Sequence, residues 1–337
     1  MNIGVLGAGT WGMALARMLS NKGYHVTVWS ALEREIDEFS VTRLHPNLPG
    51  STIPEAIEFT KCIREVCADK DMLLFAVPSV FVRKTAADAA PYIPDGQIIV
   101  DVAKGIEADS LYTMSEIILD ELRKDDKHEN VKVVALSGPT HAEEVSRDMP
   151  TTIVSACKDL ETAEIVQDIF MSPYLRVYTN TDIKGVELCG AMKNIIALAA
   201  GISAGMGYGD NAKAALITRG MIEMARLGNA MGSREQTLSG LAGIGDLIVT
   251  ATSIHSRNNK AGHLIGQGYT PKEAVEKVGM VVEGINALPA AIRLSEKYHV
   301  EMPLVCAVEA VINHGENPEK IVKLLMEREK KAEMTLM

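Results

Sequence analysis

Positive charge is in short supply in this 337-residue chain. Lys and Arg number 34 against 44 Asp and Glu, a formal net charge of −10. Such a chain lacks the cationic surface that nonspecific nucleic-acid or anionic-membrane binding needs. An anionic substrate would have to be held by a few local cations working against the overall field. Cysteine is scarce too. Cys62, Cys67, Cys157, Cys189 and Cys306 are odd in number and show no C-x-x-C spacing, which fits free or buried thiols in a reducing cytoplasm. Met1–Leu6 has no basic stretch ahead of it and runs straight into a strand pattern, so no secretory signal is expected. The longest apolar stretch, Leu188–Met206, is interrupted by Lys193 and Asn194, and stable membrane insertion is therefore not expected. No His, Asp and Glu set has metal-ligand spacing. Internal repeats, low-complexity linkers and a nucleic-acid-binding module are also absent. What remains is an ordinary globular composition, 47% hydrophobic and 23% charged. At roughly 150 residues per domain, the length suggests two domains.

The first half alternates short apolar runs with helical patterns. Asn2–Leu6, His25–Trp29, Met72–Val77, Gln97–Asp101 and Val131–Leu136 read as buried parallel strands, with weaker ones at Thr152–Ser155 and Leu175–Tyr178. Helical patterns occupy Trp11–Asn21, Val80–Ala90 and Ser110–Arg123. This alternation predicts an α/β doubly wound, mainly parallel sheet. The charged stretch Lys124–Asn130 reads as a surface connection. Near residue 180 the strand signals fade. Helices are expected over Asp182–Ala204, Ala212–Met231, Asn258–Gln267, Pro271–Val278, Asn286–Tyr298, Leu304–His314 and Pro318–Lys331. The predicted division is an α/β domain at 1–180 and an all-α domain at 181–337, with the site in the cleft between them. The Ala- and Met-rich helices could supply a homodimer interface or simply internal core.

Gly7-Ala8-Gly9-Thr10-Trp11-Gly12 matches G-x-G-x-x-G directly after the first strand and at the start of a helix. Gly7 permits the tight turn, Gly9 the approach of a pyrophosphate, and Gly12 close helix–strand packing. The helix N-terminus then offers free N–H groups to the phosphates. This context predicts a dinucleotide site. At the end of the second strand, where Asp or Glu would bond a ribose 2′-OH, Ser30 stands instead, with Arg34 one turn on and Glu33 and Glu35 beside it. NAD and NADP both stay open as cofactors.

Lys193 would have Cys189, Gly190, Ile196 and Ala197 as its helical neighbours, all small or apolar. A buried ammonium needs a partner anion or a wet cleft, although a lysine snorkelling to the surface reads equally well. Asp246, in a Gly-bounded turn, is a candidate partner, and a helix cap is its simpler reading. Ser256-Arg257-Asn258 gathers a guanidinium and polar donors at a helix start, where a cation opposes the helix dipole and suits an anion. Lys104 and the Gly138–Ala142 stretch each follow the C-terminal end of a strand, where ligands lie in open α/β sheets. His141 alone does not support a catalytic role.

Taken together, these motifs resemble the bacterial-type NAD(P)-dependent glycerol-3-phosphate dehydrogenases over nearly the whole chain. The likeness is carried by GAGTWGMALA (Gly7–Ala16), LLFAVPS (Leu73–Ser79), DVAKGIE (Asp101–Glu107), LSGPTHAEEV (Leu136–Val145), ELCGAMKNIIALAAGISAG (Glu187–Gly205), GLAGIGDLIVT (Gly240–Thr250), SRN (Ser256–Asn258) and VVEG (Val281–Gly284). The resemblance implies a Rossmann domain followed by a helical domain like that of 6-phosphogluconate-dehydrogenase-like enzymes. It implies reversible reduction of dihydroxyacetone phosphate to sn-glycerol 3-phosphate, which feeds phospholipid synthesis, in the cytoplasm. It makes Lys193 the acid/base. Substrate contacts are implied for Lys104, Gly138, Thr140, Asn194, Asp246, Thr250, Ser256, Arg257 and Asn258, and dinucleotide contacts for Thr10, Trp11, Lys104, Ala142, Arg257, Val281 and Glu283. Many relatives carry a basic residue two positions after the tryptophan matched by Trp29. Ala31 stands there in this chain, which weakens the expectation of an NADP preference. The competing readings are a related hydroxyacid dehydrogenase of the same superfamily and a dinucleotide-sensing protein without catalysis.

Overall fold

The computed structural model describes residues 1–330, 332 and 333. Eight strands form one sheet: β1 (Asn2–Leu6), β2 (His25–Trp29), β3 (Glu58–Thr60), β4 (Met72–Phe75), β5 (Ile98–Asp101), β6 (Lys132–Ser137), β7 (Thr151–Ala156) and β8 (Leu175–Asn180). Their order is β3-β2-β1-β4-β5-β6-β7-β8. The first six run parallel in the 3-2-1-4-5-6 order of a Rossmann fold. β7 returns antiparallel to β6, and β8 lies parallel to β7. Every residue of β4 is buried, because helices cover both faces of a parallel sheet.

The expected strands are present, shifted by a residue or two at their ends. β3 was not expected. It is a three-residue edge strand, too short to display a period. The helices Glu33–Thr42 and Leu160–Phe170 were also not anticipated. The helix expected from Ser110 begins only at Met114, because Thr113 pairs with Ile106 in an isolated bridge and caps the helix together with Glu116. Lys124–Asn130 is more than a surface connection. Its His128 is buried, with Nδ1 against the Leu122 carbonyl and the Asp125 carboxylate and Nε2 against the Ile93 carbonyl.

Among the described residues no strand follows Asn180. The chain turns to helices, chiefly Ile183–Gly205, Asp210–Ala230, Asp246–Thr252, Arg257–Gly266, Pro271–Val278, Glu283–Lys297, Pro303–Ile312 and Pro318–Met326. The last of these stops at Met326, and Lys331 and residues 334–337 lie outside the described residues. Ile183–Gly205 is the axle of this half and is buried on all sides. By length and composition it could cross a membrane, but 89% of its most apolar 18-residue stretch is enclosed by protein.

The axle's closest partner is Arg257–Gly266, and glycines set the distance between them. A Cβ on Gly201 or Gly205 would fall 2.1 Å from the carbonyl oxygens of Asn259 and His263. A Cβ on Gly262 or Gly266 would fall 2.2 Å from those of Leu198 and Ile202. The two backbones are in contact, which fixes Lys193 and Asn194 relative to Arg257 and Asn258. Gly205→Ala is therefore expected to lower stability by about 1–3 kcal/mol, the usual cost of overpacking. Thermal melting checks this against Gly9→Ala, where a Cβ meets no atom within 4 Å and Tm should hold.

Candidate active site

Because β1, β4, β5 and β6 are parallel, the loops leaving their C-terminal ends share one edge of the sheet. These loops carry Gly7, Ser79, Lys104 and Gly138. The helical half meets this edge with Lys193, Asp246 and Glu283. Gly190 of the axle lies where a Cβ would touch the Lys104 stem at 3.3 Å and Ser137 Oγ at 3.4 Å, so a glycine lets Lys104 cross the helix.

Lys104 and Lys193 end on one carboxylate. Asp246 accepts from Lys193 Nζ at 2.5 Å and from Lys104 Nζ at 2.6 Å, one oxygen each. Lys104 also donates to the Gly138 carbonyl at 3.2 Å, and Lys193 to Thr250 Oγ1 at 2.7 Å. Thr250 is held in turn by donating to the Asp246 carbonyl. Lys193 and Asp246 are both buried, which rules out both the snorkelling lysine and the simple cap. Gly245 is the N-cap of the Asp246–Thr252 helix, and the Asp246 side chain serves the lysines instead.

Burial drives the Lys193 ammonium down to about 7, further lowered by Lys104 and opposed by Asp246. Burial pushes Asp246 up, but Lys104 and Lys193 outweigh it and hold the carboxyl below its ordinary range. The two directions are compatible, because one negative charge cannot neutralise two ammoniums in a dry site. Asp246 stays ionised and Lys193 is left undercompensated.

A polar chain runs outward from this centre. Asn194 Oδ1 accepts from Asn258 Nδ2 at 2.9 Å, and Asn258 Oδ1 accepts from the Gly284 N–H at 2.8 Å. Ser256 caps its helix by accepting from Asn259 N. Arg257, the next residue, is exposed and meets no partner among the described residues. Glu283 accepts from Ser79 N at 3.0 Å and Ser79 Oγ at 2.5 Å, and Val281 lies just before its helix. Thr140 donates to the Gly138 carbonyl, and Ala142 opens a short helix.

The loop after β1 suits a dinucleotide pyrophosphate. Gly7 has φ +122°, and a Cβ there would fall 2.6 Å from the Ala76 carbonyl oxygen. At Gly12 a Cβ would fall 2.3 Å from the Gly7 carbonyl oxygen, whereas at Gly9 it would meet nothing within 4 Å. Gly9 is thus small toward the space outside the protein. The helix Thr10–Asn21 has no side-chain cap, and Thr10 Oγ1 is buried without a partner among the described residues. Trp11 packs against the sheet core. Ser30 and Arg34 sit at the end of β2, with Ser30 buried and Arg34 exposed.

Ser79, Glu187 and Asp101 were not singled out from the sequence, and His141 was set aside there. Ser79 could have been found by the rule that pointed to Lys104, its place after a parallel strand. Glu187 of the axle accepts from Ser115 N at 2.7 Å and Ser115 Oγ at 2.6 Å, and burial pushes it up to about 7. Burial and Glu187 together raise Asp101. His141 Nε2 is buried without a partner among the described residues, and its ring lies 5.7 Å from that of His255 across the cleft. Burial, then Lys193, lowers the His141 pKa.

Comparison with known proteins gives a consistent picture. Residues 2–163 match the family model for the NAD-dependent glycerol-3-phosphate dehydrogenase N-terminus, and residues 182–323 match that for the C-terminus. A Lactobacillus delbrueckii subsp. bulgaricus protein named glycerol-3-phosphate dehydrogenase (NAD(P)+) 2 is 66% identical over 99% of both chains. A Bacillus subtilis protein named glycerol-3-phosphate dehydrogenase (NAD(P)+) is 48% identical over 98% of this chain and 95% of its own. The crystal structure of glycerol-3-phosphate dehydrogenase from Coxiella burnetii superposes with a TM-score of 0.92 at 35% identity, covering 97% of this chain and 99% of that one.

Removing the shared carboxylate should be costly. Asp246→Asn is expected to lower unfolding stability by about 3–5 kcal/mol, because two ammoniums then lack their anion. Denaturant unfolding at neutral pH measures it.

Proposed function

The chain belongs to the NAD-dependent glycerol-3-phosphate dehydrogenase family, and we propose that it reversibly reduces dihydroxyacetone phosphate to sn-glycerol 3-phosphate with Lys193 as acid/base. It is an NAD(P)-dependent oxidoreductase, and its product is the backbone of glycerophospholipids. The observation that carries the catalytic assignment is the buried Lys193 ammonium, which shares the Asp246 carboxylate with Lys104. A proton held near pH 7 by burial is available to either direction of the reaction.

A dinucleotide held by the loop after β1 would supply or receive the hydride at C2 through its nicotinamide. In reduction, the Lys193 ammonium hydrogen-bonds the C2 carbonyl and gives it the proton that completes the hydroxyl. In oxidation, the neutral amine takes that proton back. Asp246 and Thr250 aim the Lys193 Nζ, while Lys104 adds positive charge beside the developing alkoxide. Arg257, without a partner among the described residues, takes the substrate phosphate together with Ser256 and Asn258 and so positions C2. Gly138, Thr140 and Asn194 line the space between. Gly7, Gly9, Thr10, Trp11 and Gly12 hold the dinucleotide phosphates. Ser30 and Arg34 lie toward its adenosine end, and Ala142, Val281 and Glu283 border the cleft. The sheet ends at Asn180 and the axle starts at Ile183, which supports a division into domains 1–180 and 181–337. Five free cysteines among the described residues are in keeping with a cytoplasmic location.

The SRN cluster beside the Lys193 centre favours a phosphorylated ketone over the carboxylate substrates of related hydroxyacid dehydrogenases. NAD(P)H oxidation with dihydroxyacetone phosphate, set against keto acids, is expected to proceed only with the former. No turnover with either would leave the sensing role.

Lys193→Ala should lower kcat by about 10²–10⁴-fold while dinucleotide binding persists. For the unmutated protein, kcat for reduction should decline as pH rises through about 7, where the ammonium is lost, and kcat for oxidation should rise over the same range. Arg257→Ala should mainly raise the KM for dihydroxyacetone phosphate, by about 10- to 100-fold, the scale of a lost charged hydrogen bond. Steady-state kinetics tests each.

A further inference from the structure

We propose that Glu35 selects NAD over NADP, an inference that rests on the dinucleotide reading of the loop after β1. β2 ends without an acid, but the fold brings one there. Ser30, buried directly after β2, donates its hydroxyl hydrogen to Glu35 Oε2 at 2.6 Å and accepts from Leu32 N at 3.1 Å. Glu35 N donates to the Leu32 carbonyl at 2.9 Å. The turn is thus stapled with a carboxylate at the strand end. Among the described residues, Glu35 Oε1 has no hydrogen-bond partner.

This carboxylate stands beside the glycine loop. Gly7 N donates to the Trp29 carbonyl at 2.8 Å, which ties the loop to the end of β2. His45, buried under the loop against the Ala8 carbonyl, has Glu35 and Glu38 as neighbouring charges. The space over Gly9 and the unpartnered Thr10 Oγ1 independently mark this loop as a ligand site. In Rossmann domains an acid about 20 residues beyond the glycine motif accepts from the adenosine ribose 2′-OH, and Glu35 comes 23 residues after Gly12.

The surrounding charge favours the same choice. Of the nearby cations, Lys61 is spent on Asp37 at 2.7 Å and Glu33 at 3.5 Å. Arg34 stands in a stretch of chain that also carries Glu33, Glu35, Asp37 and Glu38. A 2′-phosphate placed here would meet like charge, whereas a 2′-hydroxyl would find an acceptor.

The test is equilibrium binding, read from nicotinamide fluorescence in titrations with NADH and NADPH. The unmutated protein should bind NADH more tightly. Glu35→Gln should shrink that preference by about tenfold or more, chiefly by tightening NADPH. Ser30→Ala, which frees the carboxylate from its anchor, should move the ratio the same way by less, and it carries the test should Glu35→Gln fail to fold. Arg34→Ala should not shrink the preference. Tighter NADPH than NADH in the unmutated protein, or a ratio unmoved by Glu35→Gln, would overturn the assignment to Glu35 while leaving the dinucleotide site intact. Binding of neither cofactor would overturn both.

Discussion

Asp246 sits in a part of the protein that water does not reach, with each of its oxygens taken by a different ammonium. Lys104 comes from the sheet and Lys193 from the axle helix, so the carboxylate is also a joint between the two halves. An ionised aspartate at this depth persists only because two cations face it. A second ammonium on a single anion is held less firmly than the first, and so Lys193 is driven toward neutrality while Asp246 stays charged. One arrangement thus both ties the two halves together and lowers the Lys193 pKa.

Further polar links join the halves. Glu283 reaches Ser79, Glu187 reaches Ser115, and the Asn194–Asn258–Gly284 chain braces the helices behind them. Small residues make these approaches possible. Gly190 admits the Lys104 stem, a Cβ on Gly284 would fall 2.5 Å from the Asn194 carbonyl oxygen, and the glycines of the axle bring the Arg257–Gly266 helix into backbone contact. At each of these glycines another group has to come close.

Much of this was legible in the sequence where the signal is local. The glycine motif, the strands around it and the placing of Lys104 and Gly138 just after β5 and β6 follow from short-range rules, and the fold agrees with them. Lys193 stood out because its helical neighbours are apolar, although those neighbours alone left a surface lysine equally reasonable. What decided the matter was Asp246, distant in sequence, whose local surroundings suggested a cap. Glu35 was visible only as a charge near a strand end, since its link to Ser30 depends on an unanticipated helix. His128 was hidden in a charged stretch because composition does not report which residue of a loop turns inward. Such tertiary pairings leave no periodic trace, whereas family-wide motifs point to some of them indirectly.

The central claim concerns one nitrogen. Nuclear magnetic resonance of selectively labelled lysine, with Lys193 assigned by substitution, would follow its Nζ through a pH titration of the ligand-free protein. A midpoint near 7 is expected for an ammonium left undercompensated by burial. A midpoint at the ordinary lysine value of 10.5 would contradict the claim, because Asp246 would then hold that proton too firmly for it to be exchanged with a substrate.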